Sequence, residues 1–268
     1  MTICLSFAGV AGCIAFHAGA TRELLKLAPP NTQFIYAGLS SGSIIASMLA
    51  LGYDPDTMIE KFEHFTTFFD KWYHHPVTYW FTHVRRLYLE LLEPDSYEKV
   101  SGKLFIGYSV VTPFGLKARV VNTYTSNDDL INAIFASCHL IPYRLFPVGL
   151  YRGEVVCDGA FSCGVIKPPG VVTVSITASI VHSNAFWSDW VLCTCLEKTH
   201  RLCEAGSSFV KRHEYHFLQQ MKGEKSYISL PRFFNPLVWV KRFGYVWLLV
   251  WLLRRPQVRQ WFLRLRVL

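Results

Sequence analysis

Charge is scarce in this sequence. Only 17% of its 268 residues are Asp, Glu, Lys or Arg, below the roughly 25% of a typical soluble domain. Half are hydrophobic and 15% aromatic, so a sizeable core can be built. The positive mean hydropathy points further, to apolar surface that faces lipid or a partner. No two of the eight cysteines stand in a CxxC pair, and Cys193-x-Cys195 has no matching second pair. Zinc-ligand spacing is therefore absent and no metal is expected. Scattered through apolar segments, these cysteines read as free thiols in a reducing compartment. There is no Asn-x-Ser/Thr sequon, so an intracellular location is expected. Neither GxGxxG nor GxxxxGK[ST] occurs, which leaves no nucleotide-phosphate loop by motif. The start, Met1 to Ala8, lacks a basic segment before its apolar run, and it reads as a first core strand rather than a signal peptide.

What is present centres on Gly38-Leu39-Ser40-Ser41-Gly42. A strand-like run, Gln33 to Tyr36, leads in, and an apolar helical run, Ile44 to Leu51, leads out. A nucleophile elbow requires that strand–turn–helix context. The serine would stand at a helix N-terminus, where unpaired N–H groups favour developing negative charge. By itself the pentapeptide fits a glycine-rich turn without chemistry equally well.

In order, the chain predicts a buried strand at 3–8, a turn Gly9-Val10-Ala11-Gly12, and a helix over 13–28 stopped by Pro29-Pro30. The strand 33–37 and a helix over 41–51 follow. Two strand–helix units in about fifty residues argue for a parallel sheet with helices on its faces. Residues 57–92 read as helical and aromatic, for core packing or an acyl channel. Strands are expected at 104–112, 117–124, 154–157 and 171–176. A helix capped at Ser126 runs to about Cys138, 142–153 is a loop, and 185–221 is mostly helical.

Acidic residues stop at Glu224, whereas eight basic residues follow Leu230. Among them lies an uncharged block, Phe243 to Leu253. Eleven helical residues reach about 16 Å, roughly half the hydrocarbon thickness. Tryptophans flanked by arginines suit a membrane interface. The segment 231–268 is thus expected to hold the protein at a membrane or lipid-droplet surface; the alternative is a helix docked on the domain. Nucleic acid fits less well, because the basic residues interleave with a continuous apolar face.

A serine nucleophile needs a base and oxyanion donors. Asp158, on the turn Asp158-Gly159-Ala160 after a strand, is one candidate base. A later histidine is the other: His182, His200, His213 or His216. Donors are available from the Gly9–Gly12 turn, which follows the first strand and opens a helix.

Several motifs in order resemble the patatin-like phospholipase family, and most of all its animal-type branch containing adipose triglyceride lipase and adiponutrin. They are Ser6-Phe7-Ala8-Gly9, His17-Ala18-Gly19, Gly38 to Ser43, Asp128-Asp129-Leu130, Ala136-Ser137-Cys138, Ile141-Pro142, Tyr151-Arg152-Gly153 and Asp158-Gly159-Ala160. The resemblance spans roughly residues 3–176. It implies a three-layer α/β/α sandwich with a mostly parallel central sheet, over 1–180. A helical extension (181–230) and the basic, aromatic helical tail (231–268) complete the expected division.

The resemblance also implies a Ser40–Asp158 dyad that needs neither histidine nor metal nor cofactor. Ser40 would attack an acyl ester of a phospholipid or glyceride. Asp158 would act as base, and the N–H groups of Gly9, Val10, Ala11, Gly12 and Ser41 would hold the oxyanion. One departure stands out: the family carries more glycine where this chain has Val10-Ala11. A catalytically weak lipid-binding protein on the same fold is therefore a second reading, and a histidine-dependent α/β-hydrolase a third.

Overall fold

The computed structural model describes residues 1–70, 79–140, 148–182 and 196–226, with the single positions 184, 228 and 255. The side chains of 64–70, 79–81 and 182 fall outside that description. So does the expected membrane tail 231–268 apart from Arg255, and with it much of the expected aromatic channel.

A seven-stranded mixed sheet organises the chain. Strand β1 (Thr2–Phe7) is flanked in parallel by β2 (Gln33–Leu39) and β7 (Val172–Ile176), and β2 pairs in parallel with β3 (Leu104–Thr112). The remaining pairings are antiparallel. Strand β4 (Gly115–Val121) folds back on β3 through a tight turn that pairs Thr112 with Gly115. That register starts β4 earlier than the expected 117–124. It releases Tyr124 into the core, where its hydroxyl donates to the Leu104 carbonyl (3.1 Å). Strand β6 (Glu154–Cys157) also pairs with β3, and with a short β5 (Gly149–Tyr151). The expected loop at 142–153 therefore contains a strand. Arg152 and Gly153, with φ of 48° and 76°, make the hairpin turn between β5 and β6.

Helices cover one face. On β1 the side chains of Ile3, Leu5 and Phe7 join a cluster with α1 (Ile14–Leu27), α2 (Ser41–Ala50) and α6 (Asn127–Ser137). The same cluster takes in Val84 and Tyr88 of α4 (Tyr79–Leu91). Ser126 caps α6 as its sequence predicts, its hydroxyl accepting from the Asp129 N–H. Of the stretch 185–221, expected to be mostly helical, 196–221 forms two helices, α8 (Leu196–Arg212) and α9 (Glu214–Met221), with His213 between them, and 185–195 lies outside the described residues. Helices α1 and α8 approach backbone to backbone. A Cβ on Gly19 would sit 1.9 Å from the Cys203 carbonyl oxygen, and one on Gly206 2.1 Å from that of Phe16. On the opposite face Cys4, Ala37 and Leu39 are buried with Ile166, against Cys163 and Val171. There, among the described residues, the segment 161–171 provides the cover rather than a second layer of helices.

Candidate active site

The two expected dyad residues come from distant parts of the chain. Strand β2 runs parallel to β3 and its pairing ends at Leu39 opposite Gly107. Strand β6 runs the other way along β3, and its pairing ends at Cys157 opposite Ser109. Because β4 pairs with β3 along Ile106–Thr112, β2 and β6 must lie on the edge of β3 away from β4. Their carboxyl ends therefore converge on Tyr108. The next residue after each end is Ser40 and Asp158. Ser40 Oγ stands 2.6 Å from Asp158 Oδ2, and both residues are buried.

Sterics explain the elbow's glycines. Ser40 has φ 51° and ψ −131°, a strained conformation for a non-glycine residue. A Cβ on Gly38 would lie 2.3 Å from the Gly42 carbonyl oxygen, and one on Gly42 2.4 Å from that of Phe7. Only glycine lets β1, β2 and α2 meet here.

Four serine hydroxyls fasten this geometry. Ser137 Oγ accepts from the Ser40 N–H (2.7 Å) and donates to the Gly107 carbonyl (2.6 Å). Ser43 Oγ donates to the Ser40 carbonyl (2.6 Å). Ser109 Oγ donates to the Asp158 carbonyl (2.7 Å) and is itself bound by the Ser162 hydroxyl (2.8 Å). Both halves of the pair are thus tied to β3. Asp158 Oδ1 accepts from the Ala160 N–H (2.9 Å), and the Asp158 N–H donates to the His139 carbonyl (3.0 Å). Those bonds aim Oδ2 at Ser40. Chemically, a carboxylate oxygen within hydrogen-bond reach of a hydroxyl at a helix N-terminus can remove its proton as it attacks a carbonyl.

The Gly9–Gly12 turn lies against this pair. A Cβ on Gly9 would be 2.8 Å from Ser40 Cβ and 3.5 Å from Ala160 Cβ. Ala11 has φ 47°, the conformation a glycine would hold more easily. The Val10 N–H is engaged, donating to Ser41 Oγ (2.9 Å). Among the described residues, the N–H groups of Gly9, Ala11, Gly12 and Ser41 make no hydrogen bond. The turn is anchored through Ala8, whose N–H donates to the Ile176 carbonyl and whose carbonyl accepts from His17 Nε2 (2.9 Å).

His17 is fully buried, and burial pushes its imidazole down to about 4. Unfolded, the same group protonates near pH 6.5. Stability is therefore complete above pH 6.5 and falls as pH drops towards 4, because the unfolded chain takes up the proton first. Between pH 7.5 and 5 this amounts to about 2 kcal/mol. Urea titrations at the two pH values should show that loss, and His17→Gln should reduce it while keeping a donor for the Ala8 carbonyl. An equal loss in the variant would place the pH sensitivity elsewhere.

The later histidines are occupied away from Ser40. His200 Nε2 lies 3.1 Å from Glu63, and His213 Nδ1 is 2.9 Å from the Phe209 carbonyl. His216 bonds Ser226 and Gln220. The His182 side chain lies outside the described residues. Among the described residues no cluster of three His, Cys, Asp or Glu could hold a metal. Burial pushes the Cys4 thiol up to about 12 and that of Cys157 in the same direction.

A family description, Patatin-like phospholipase, matches residues 5–165. The chain is 30% identical over 185 residues to the omega-hydroxyceramide transacylase of Mus musculus, covering 67% of this chain and 30% of that protein. It is 27% identical over 185 residues to the human patatin-like phospholipase domain-containing protein 4, covering 64% of this chain and 70% of that protein. It thus spans less than a third of the length of the transacylase it matches. VipD from Legionella pneumophila superposes with a TM-score of 0.45 at 11% identity, covering 84% of this chain and 67% of that one.

Proposed function

The chain belongs to the patatin-like phospholipase family, a family of serine lipid acyl hydrolases and transacylases, and on that premise we propose that it cleaves a carboxylic ester of a phospholipid or acylglycerol through Ser40 and Asp158. The supporting observation is the 2.6 Å contact between Ser40 Oγ and Asp158 Oδ2. In this reading Ser40 Oγ bonds to the ester carbonyl carbon as its proton passes to Asp158 Oδ2. The N–H groups of Gly9, Ala11, Gly12 and Ser41 hold the oxyanion. That of Val10 joins them only once the Ser41 hydroxyl turns away. Collapse expels the alcohol, which takes the proton from Asp158 and leaves an acyl group on Ser40. Asp158 then deprotonates water, whose attack releases the acid and restores the serine.

A second reading differs only in the last acceptor. If a lipid hydroxyl replaces water, the same steps transfer the acyl group. The name of the relative, omega-hydroxyceramide transacylase, favours keeping that acceptor in view.

Among the described residues no helix is long and apolar enough to cross a membrane. Within this proposal the eight basic residues after Leu230 hold the enzyme against an anionic lipid surface, each contributing about 1 kcal/mol. One experiment tests both parts: hydrolysis of a vesicle-borne ester and of a short soluble ester by wild type, by Ser40→Ala and by a chain ending at Leu230. Ser40→Ala should lose both activities, and the shortened chain mainly the first. Activity surviving in Ser40→Ala defeats the nucleophile assignment. Equal loss of both in the shortened chain defeats the role of the tail.

A further inference from the structure

Among the described residues strand β7 is an edge of the sheet, with β1 between it and β2. Along its open side runs a cavity of about 660 Å³, walled by β7, α9, the segments 167–171 and 223–226, and Ile228. At strand spacing β7 itself stands about 10 Å from β2, so the cavity beyond it lies farther still, and no residue of the proposed catalytic machinery lines it. Its size suits one drug-sized molecule.

The polar wall is built around His216, which is about nine-tenths buried. The Ser175 N–H donates to Gln220 Oε1 (3.3 Å), which turns the Gln220 amide nitrogen towards His216 Nε2 (2.7 Å). An amide nitrogen only donates, so Nε2 carries the lone pair. The neutral ring's proton is then on Nδ1, donated to Ser226 Oγ (2.7 Å). Two consequences follow. Ser226 cannot pass its proton to His216, so this serine–histidine contact is not a second nucleophilic pair. Its own hydroxyl proton remains to be donated into the cavity. Burial and neighbouring His213 hold the imidazole below its usual range, in keeping with the neutral ring.

The other lining groups lean the same way. Lys167 and Lys225 make no ion pair, and the Ser175 and Thr177 hydroxyls no hydrogen bond, among the described residues. Among the described residues the single lining carboxylate is Glu224. Donors thus outnumber acceptors, and the formal charge of the lining is positive. Val171, Ile180 and Ile228 add apolar wall, and among the described residues no Phe, Tyr or Trp lines it on which a nucleobase could stack.

We propose that this cavity is a second, non-catalytic site for an anionic amphiphile, a molecule carrying a carboxylate or phosphate on an apolar chain. The anion sits between Lys167, Lys225 and the Ser226 hydroxyl, and the chain lies on the valine–isoleucine wall. A fatty acid and a lysophospholipid phosphate share this chemistry.

The full chain is titrated with oleate, with 1-oleoyl-lysophosphatidate and with oleyl alcohol, each below its aggregation limit. The two anions should bind at least tenfold more tightly than the alcohol. The tighter anion names the source. Lys167→Glu/Lys225→Glu should weaken the anions at least tenfold, and Ser226→Ala, a milder change at a half-buried position, several-fold. Both variants should hydrolyse a short soluble ester at the wild-type rate, which certifies their fold. If wild type proves inactive on that ester, circular dichroism certifies the fold instead, so failure of the catalytic proposal leaves this test intact. Equal binding of the alcohol, no binding of either anion, or unchanged anion affinity in the double variant overturns the proposal.

Discussion

Asp158→Asn is expected to lower ester turnover by about 10³–10⁴-fold with little change in stability, the upper range for loss of a positioned general base. The substitution is nearly isosteric. If the Asn carbonyl oxygen keeps the Ala160 N–H that Oδ1 now accepts at 2.9 Å, the amide nitrogen faces Ser40 in place of Oδ2. That nitrogen can donate to Ser40 Oγ but cannot take its proton, so the contact survives while the chemistry stops. The backbone at Asp158 is held independently by Ser109 and by the His139 carbonyl, so the turn should not relax. The expected signature is a fall in kcat at near-constant KM, a thermal midpoint close to wild type, and slow labelling of Ser40 by a fluorophosphonate. Turnover above a tenth of wild type would mean that another group removes the proton, and a histidine-dependent mechanism would return to the front.

The parts of this site that were legible in the sequence are those with local causes. Glycine on both sides of Ser40 answers to crowding inside one strand–turn–helix unit, and Ser126 answers to the first turn of its own helix. What was not legible is how Ser40 and Asp158 meet. That depends on β2 and β6 converging from opposite directions on one edge of β3, and no local pattern encodes it. The fastening serines were hidden for the same reason. Ser137 appeared only as one letter of Ala136-Ser137-Cys138, yet it bonds Ser40, 97 positions away. Ser109 does leave a signal. It is a fully buried hydroxyl inside the strand Leu104–Thr112, and a buried hydroxyl needs a partner. The mostly parallel sheet is legible in the same way, and its antiparallel returns less so. The leading strand–helix units are parallel, but the chain returns by hairpins at β4 and β5–β6, whose register depends on turn geometry.

Gly9→Ala is expected to lower kcat by about 10²-fold, the scale associated with misplacing a reacting group by about an ångström or losing one oxyanion donor. The added methyl would lie 2.8 Å from Ser40 Cβ, where 3.4 Å is the near limit of ordinary contact. Neither neighbour can yield freely. Ser40 is held at its N–H by Ser137 and at its carbonyl by Ser43. The turn is held at Ala8 by Ile176 and His17. The strain therefore divides between the position of Ser40 and the turn that would bind the oxyanion, and overpacking of this kind costs about 1–3 kcal/mol of stability. Ala11→Gly is the matching control. With φ 47° at Ala11, glycine removes a Cβ penalty of about 1–2 kcal/mol and returns about 0.5–1 kcal/mol in chain entropy, so stability should change little. If Val10-Ala11 merely replaces glycine in a working turn, Ala11→Gly leaves turnover within a few-fold of wild type and only Gly9→Ala is crippled. If instead Ala11→Gly raises turnover tenfold or more, the turn limits the native enzyme, and the weak, lipid-binding reading of this chain gains its physical basis.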